Sequence, residues 1–136
     1  VIQYVVGLIF DESFENILLI RKNRPDWQKG RLNGVGGKVE EQETSYEAMV
    51  RECEEECGLL LYNWLLVENF SDSDSYEVHF FITQTPSLQK AYSKTDELIE
   101  IHNIKELFDI NFGMDAVIYP TNTLILYYYK KWSTEL

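Results

Sequence analysis

Three glutamates, Glu52, Glu55 and Glu56, stand at i, i+3 and i+4 in a stretch, 44–57, that holds neither glycine nor proline. At 3.6 residues per turn these positions fall within about a 100° arc, so a helix here gathers three carboxylates on one face. Like charges at such spacings destabilise an isolated helix by roughly a few tenths of a kcal/mol per pair. A solvated surface helix would intersperse lysines, and this one offers only Arg51. Two readings follow: an acidic, solvated face, or a set of hard oxygen ligands presented to Mg²⁺ or Mn²⁺. Spacing alone does not separate them.

The elements that must position these groups are marked on either side. Thr44 with Glu47 three residues on is a capping box, and Gly58 suits the left-handed position past a helix end, so a helix is predicted over 44–57. Tyr46, Val50, Cys53 and Cys57, with Met49 at the edge, form an apolar stripe beside the carboxylates and are its predicted buried face. Just upstream, Asn33-Gly34-Val35-Gly36-Gly37 is a glycine cluster that lets the backbone turn sharply or approach a ligand closely. Residues 5–10 and 16–21 are apolar runs separated by a polar pentapeptide and predict a hairpin. The polar segment 22–31, with Pro25 and Gly30, reads as a loop carrying Trp27. Further strands are predicted over 59–70, 76–83 and 98–102, with a helical turn over 104–108. A final helix follows Pro120, capped by Thr121 or Asn122 and running to about Trp132. Strands, helix, strands, helix is the order of a mixed α/β domain with helices covering a sheet.

The 136 residues fit one domain, 1–136, and a 45% hydrophobic content can fill its core. No apolar run approaches the roughly 20 residues that span a membrane. The apolar start, 1–10, lacks a basic n-region and a small-residue cleavage site, so it reads as a strand rather than a signal peptide. Cys53 and Cys57 at i, i+4 suit a reduced, packed pair better than a disulfide, and a cytoplasmic location is expected. A formal charge of −11 argues against binding a nucleic acid polymer. It leaves a nucleotide substrate open, because bound metal ions can invert the local sign. Between Gly37 and Gly58 stand eight acids against two bases, so the excess is concentrated where the carboxylates gather. A monomer or homodimer is expected.

The segment from Gly37 to Leu59 resembles the Nudix box, G-x5-E-x7-R-E-U-x-E-E-x-G-U with U apolar. All seven fixed positions match, at Gly37, Glu43, Arg51, Glu52, Glu55, Glu56 and Gly58, with Cys53 and Leu59 at the U positions. The resemblance implies an α/β/α sandwich around a mixed sheet. It implies a Mg²⁺- or Mn²⁺-dependent hydrolase of a diphosphate linkage in a nucleotide. Glu52, Glu55 and Glu56 would be metal ligands, with the Gly36 carbonyl as a further oxygen. Arg51 would orient carboxylates, Glu43 above all, rather than touch metal. In this family a glutamate from a loop further along often reaches the metals and acts as general base. Glu97 is the candidate, with Asp96 and Glu100 behind it, and the base is left between Glu97 and Glu52.

The run Leu32-Asn33-Gly34-Val35-Gly36-Gly37-Lys38-Val39-Glu40 is similar to the corresponding stretch of MutT-type triphosphatases that clear oxidised purine nucleotides. By that likeness Asn33 would hydrogen-bond the base and Lys38 would contact substrate. Phe112 and Asp115, five residues before Pro120, resemble the aromatic and acidic residues that stack on and read a purine in such enzymes. A pair of adjacent acids stands there, whereas here Met114 precedes a single Asp115. Trp27 and Tyr4 read equally as base-stacking walls or as cover for the core edge. The implied activity is nucleoside triphosphate to monophosphate plus pyrophosphate. The runners-up are hydrolysis of ADP-ribose or a dinucleoside polyphosphate and a nucleotide-binding domain without turnover; Tyr76 stands at the position associated with dinucleoside polyphosphate hydrolases but reads first as an ordinary strand tyrosine. His79 and His102 stand alone in predicted strands and read as packed residues.

Overall fold

Apolar residues on both faces of a strand require cover on both faces, and the first two strands set this pattern. The computed structural model describes residues 1–109 and 116–134, and Phe112 and Asp115 lie outside them. Strand β1 (Ile2–Asp11) and strand β2 (Asn16–Arg21) form the expected hairpin, with Ile9 opposite Leu18. Val5, Ile9, Leu18 and Ile20 point to one hydrophobic cluster, and Leu8, Phe10, Ile17 and Leu19 point to another. Helix α1 (Ser45–Cys57) covers the first face through Ala48, Met49, Cys53 and Cys57. Helices α2 (Ile104–Leu107) and α3 (Thr121–Thr134) cover the second through Ile104, Leu107 and Ile125. This is the α/β/α sandwich expected from the sequence.

Among the described residues the sheet has seven strands and is mixed. β1 pairs in parallel with β6 (Tyr76–Thr85), and β6 pairs antiparallel with the edge strand β5 (Leu65–Ser73). On its other side β2 pairs with β7 (Ile99–Asn103). The decisive feature lies between β1 and β2, which bond directly only near Ile9 and Leu18 and then diverge. Into that fork run β3 (Leu32–Asn33), bonded to β2, and β4 (Val35–Lys38), bonded to β1. The glycine cluster therefore crosses the middle of the sheet, where it faces α1 rather than open solvent.

Three expectations change. The predicted strand over 59–70 begins only at Leu65. Residues 58–64 are irregular, with the Asn63 carbonyl taking the Thr83 hydroxyl and the Leu61 carbonyl taking the Trp64 indole N–H. These carbonyls are satisfied by side chains, so the apolar residues here pack under α1 without joining the ladder. The buried stripe of α1 is also rotated from the one expected. Tyr46 is exposed and gives its hydroxyl to the Tyr62 carbonyl, while Ala48 lies fully inside. Finally, Thr121 is the first residue of α3 rather than its cap. Among the described residues no helix is long and apolar enough to cross a membrane.

Candidate functional site

Helix α1 begins as its capping box prescribes. Thr44 Oγ1 accepts from the Glu47 amide at 3.1 Å, and Glu47 Oε1 accepts from the Thr44 amide at 2.9 Å. The helix ends at Gly58 with φ of 76°, a left-handed conformation that glycine adopts without strain. Between these ends the helix lays its acids against the glycine strand. A β-carbon on Gly36 would collide with the Val5 carbonyl, so that position excludes a side chain, and one on Gly37 would come 2.5 Å from Glu52 Oε1 and push that carboxylate aside. The Gly36 amide donates to Glu56 Oε1 at 2.9 Å. Val39 N donates to the Gln3 carbonyl, so alternation along the antiparallel pair makes Val5–Gly37 and Gly7–Val35 bonded pairs. The N–H and C=O of Gly36 thus turn away from β1, toward Glu56, where that carbonyl is expected.

Arg51 organises the remaining acids. Its Nε and Nη2 fork both oxygens of Glu43 at 2.9 and 2.8 Å, and Nη1 reaches Glu52 at 2.9 Å and Glu55 at 3.2 Å. Nη2 also donates to the Lys38 carbonyl at 3.1 Å, which ties α1 to the end of β4. The hydrogen bond from Arg51 lowers the Glu43 carboxyl below its usual value. Glu52 and Glu56 shift the other way. Burial raises the Glu52 carboxyl, and burial with neighbouring acids pushes Glu56, 8% exposed, up to about 8. Glu55, with 56% of its side chain exposed, stays on the rim.

Glu97 comes to the same place from the other side of the fork, where its charge and that of Lys22 are both felt at Glu56. Its carboxylate accepts from Lys22 Nζ at 3.0 Å and from the amides of Asn23 at 2.6 Å and Arg24 at 3.3 Å. Burial acts to raise this carboxyl, but those donors bring it below its ordinary value. Both oxygens of Glu97 are thereby engaged with the 22–24 turn. On Glu52, by contrast, Oε1 carries the Arg51 bond and Oε2 has no hydrogen-bond partner among the described residues. Asp96 and Glu100 pair outward, with Arg24 and Arg21.

A cavity of about 660 Å³ opens on the far side of the same glycines, lined by Gly36, Gly37, Lys22, Asn33 and Thr121. Its walls are aromatic, with Tyr4, Trp27, Phe70, Tyr76, Phe80 and Tyr119. Trp27 is 63% exposed, so it is a wall of this cavity and not cover for the core. Lys38, expected at the substrate, lies outside the lining, exposed at the end of β4. Lys22 stands there instead, a cation that no motif singled out. Thr121, Phe70 and Tyr119 were likewise silent in the sequence, because they approach only through tertiary contacts. Cys53 and Cys57 are free, buried thiols 3.8 Å apart.

Among the described residues no three Asp, Glu, His or Cys side chains already converge as a cage for an ion. The donors nonetheless fit a hard divalent cation. Glu52 and Glu56 are desolvated carboxylates whose ionised forms lack full compensation, and a dication is the species that supplies it.

The sequence model of the NUDIX domain matches residues 2–120, and the chain belongs to that family of hydrolases. The fold is shared with solved structures at low identity. A MutT of Aliivibrio salmonicida or Vibrio cholerae is 22% identical over 93% of this chain and 96% of its own, with a TM-score of 0.70. The MutT NUDIX hydrolase of Burkholderia pseudomallei is 20% identical over 91% and 95%, with a TM-score of 0.72. The E. coli dihydroneopterin triphosphate pyrophosphohydrolase is 15% identical over 95% of each chain, with a TM-score of 0.70.

Proposed function

We propose that this chain is a divalent-metal-dependent pyrophosphohydrolase that converts a nucleoside triphosphate to the monophosphate and pyrophosphate. One observation carries the reading: Gly36 and Gly37 form a wall common to the buried carboxylates of α1 and an aromatic-lined cavity. A flat ring held among the aromatic walls would place its phosphate chain over the glycines, beside the acids. Glu52, Glu55 and Glu56, with the Gly36 carbonyl, would hold the metal. Bound Mg²⁺ would neutralise phosphate oxygens and make the attacking water more acidic. Glu52 Oε2 is the group best placed to take that proton, because both oxygens of Glu97 are engaged. Glu97 holds the 22–24 turn, and with it Lys22, at the edge of the cavity. Lys22 would meet the phosphates as a point charge.

The test is a panel of NTPs, dNTPs, oxidised dNTPs, ADP-ribose and diadenosine tetraphosphate, with kcat/KM and the released products measured. Pyrophosphate from a triphosphate, lost in chelator and restored by Mg²⁺ or Mn²⁺, is the expected outcome. Orthophosphate as first product, or full turnover in chelator, would remove the reading. Tyr76 lines the cavity, so dinucleoside polyphosphates belong in the panel. Binding of a nucleotide with no turnover on any member would instead mark a non-catalytic domain.

A further inference from the structure

The end of α1 is closed by a stretch of chain that arrives after β6. A 3-10 turn (Leu88–Lys90) anchors it, with Leu88 fully buried in the cluster beneath α1 and Ala91 packed against that cluster. The Tyr92 amide then donates to the Cys57 carbonyl at 3.1 Å, and the Lys94 amide to the Glu56 carbonyl at 3.1 Å. Two of the four carbonyls that a helix end leaves open are satisfied in this way. A little further on, Glu97 holds Lys22, Asn23 and Arg24, while its own amide donates to Thr95 Oγ1 at 3.2 Å. Residues 92–97 thus bridge the helix turn that carries Glu55 and Glu56 and the turn that carries Lys22.

Tyr92 seats this bridge. A β-carbon on Gly58 would come 2.5 Å from Tyr92 Cε1, 3.0 Å from Cζ and 3.2 Å from Cδ1, so one edge of the ring lies directly on the glycine. Asparagine also adopts the left-handed backbone found here, with φ of 76°, and the backbone alone would therefore admit it. The ring does not, because it occupies the volume that a side chain would need. Tyr92 is itself 57% exposed, so its ring is not core filling.

We propose that Tyr92 is a positioning residue for the carboxylates of α1. Its ring, seated on Gly58, holds residues 92–97 across the helix end and fixes Glu55 and Glu56 relative to the Glu97 loop. Metal ligands must stand within about 0.2 Å of their bonding distances, and helix ends fray unless something holds them. The inference rests on these acids binding a divalent cation, and it goes further by naming what keeps them in place.

Mn²⁺ binding to the free protein, followed by the EPR signal of the unbound ion, tests it without turnover. Tyr92→Ala should weaken Mn²⁺ binding about tenfold. Tyr92→Phe keeps the ring and should bind as the wild type does. Gly58→Asn suits the backbone but sets its β-carbon against the ring, so it should weaken binding too. Adding Tyr92→Ala to Gly58→Asn should then cost almost nothing more, because both changes break the same contact. Amide exchange separates local release from a general loss of stability. In Tyr92→Ala the Lys94 amide should exchange about tenfold faster, while the amides of β1 and β2 stay as protected as before. Wild-type Mn²⁺ affinity in Tyr92→Ala overturns the inference. So does a phenylalanine variant that behaves like alanine, an additive loss in the double variant, or exchange that quickens equally in β1 and β2. A wild type that binds no Mn²⁺ at millimolar concentration overturns the metal reading beneath it.

Discussion

Glu56→Gln should lower kcat by about 10³-fold or more while raising the melting temperature of the metal-free protein. The two effects have one cause. Glu56 is buried against the Gly36 amide, with Glu52 and Glu97 nearby, and its carboxyl titrates at about 8 instead of 4.5. A carboxyl whose folded pKa is raised holds its proton more tightly folded than unfolded. Stability is then full below the unfolded value and declines as pH rises from about 4.5 to about 8. Glutamine is neutral throughout and keeps an oxygen for the Gly36 N–H. At pH 8 in chelator the variant should therefore be more stable by on the order of 4 kcal/mol, and its Tm should fall less with rising pH across that window than the wild type's. Saturating Mg²⁺ should erase the advantage, because the wild-type charge then meets a cation. Melting curves at pH 5 and pH 8, with and without Mg²⁺, test the account. A variant that melts lower than wild type in chelator would make Glu56 a structural residue and take its metal role away.

Arg51→Met should cost about 2–4 kcal/mol of stability and most of the activity, and Arg51→Lys should rescue neither fully. Methionine fills much of the space but leaves Glu43 and Glu52, both largely buried, without the donors that now hold them. Lysine restores the charge without the planar fork that meets both oxygens of Glu43 while reaching Glu52, Glu55 and the Lys38 carbonyl. The acids of α1 would then repel one another away from the geometry a metal needs. Urea unfolding and Mg²⁺ titrations of kcat measure the two consequences separately. A lysine variant with wild-type stability and wild-type Mg²⁺ dependence would reduce Arg51 to a surface charge.

What the sequence by itself determined is what depends on near neighbours. Helix α1 starts and stops on its own caps, Thr44 with Glu47 and Gly58, and its carboxylates fall together because helical spacing puts them together. The Arg51–Glu43 pair spans eight residues and belongs to one loop and helix, so its chemistry could be expected from residue type and position. The β1–β2 hairpin was likewise marked by continuous apolar runs either side of a short polar turn.

Only the tertiary structure decided the rest. Apolar content at 59–64 suggested a strand, but a strand needs a partner, and the carbonyls of Leu61 and Asn63 are taken by side chains instead. Which side of α1 is buried followed from how the helix lies on the sheet, which drew in Ala48 and left Tyr46 outside. Lys38 stands in the glycine run yet lies exposed outside the cavity lining, because it is the last residue of β4, whereas Lys22 is brought in by the turn that Glu97 holds. The contact between Thr121 and Asn33 joins residues 88 apart, and no local preference encodes it. It exists because β1 and β2 separate, admit β3 between them, and leave its asparagine against the first turn of a helix from the far end of the chain.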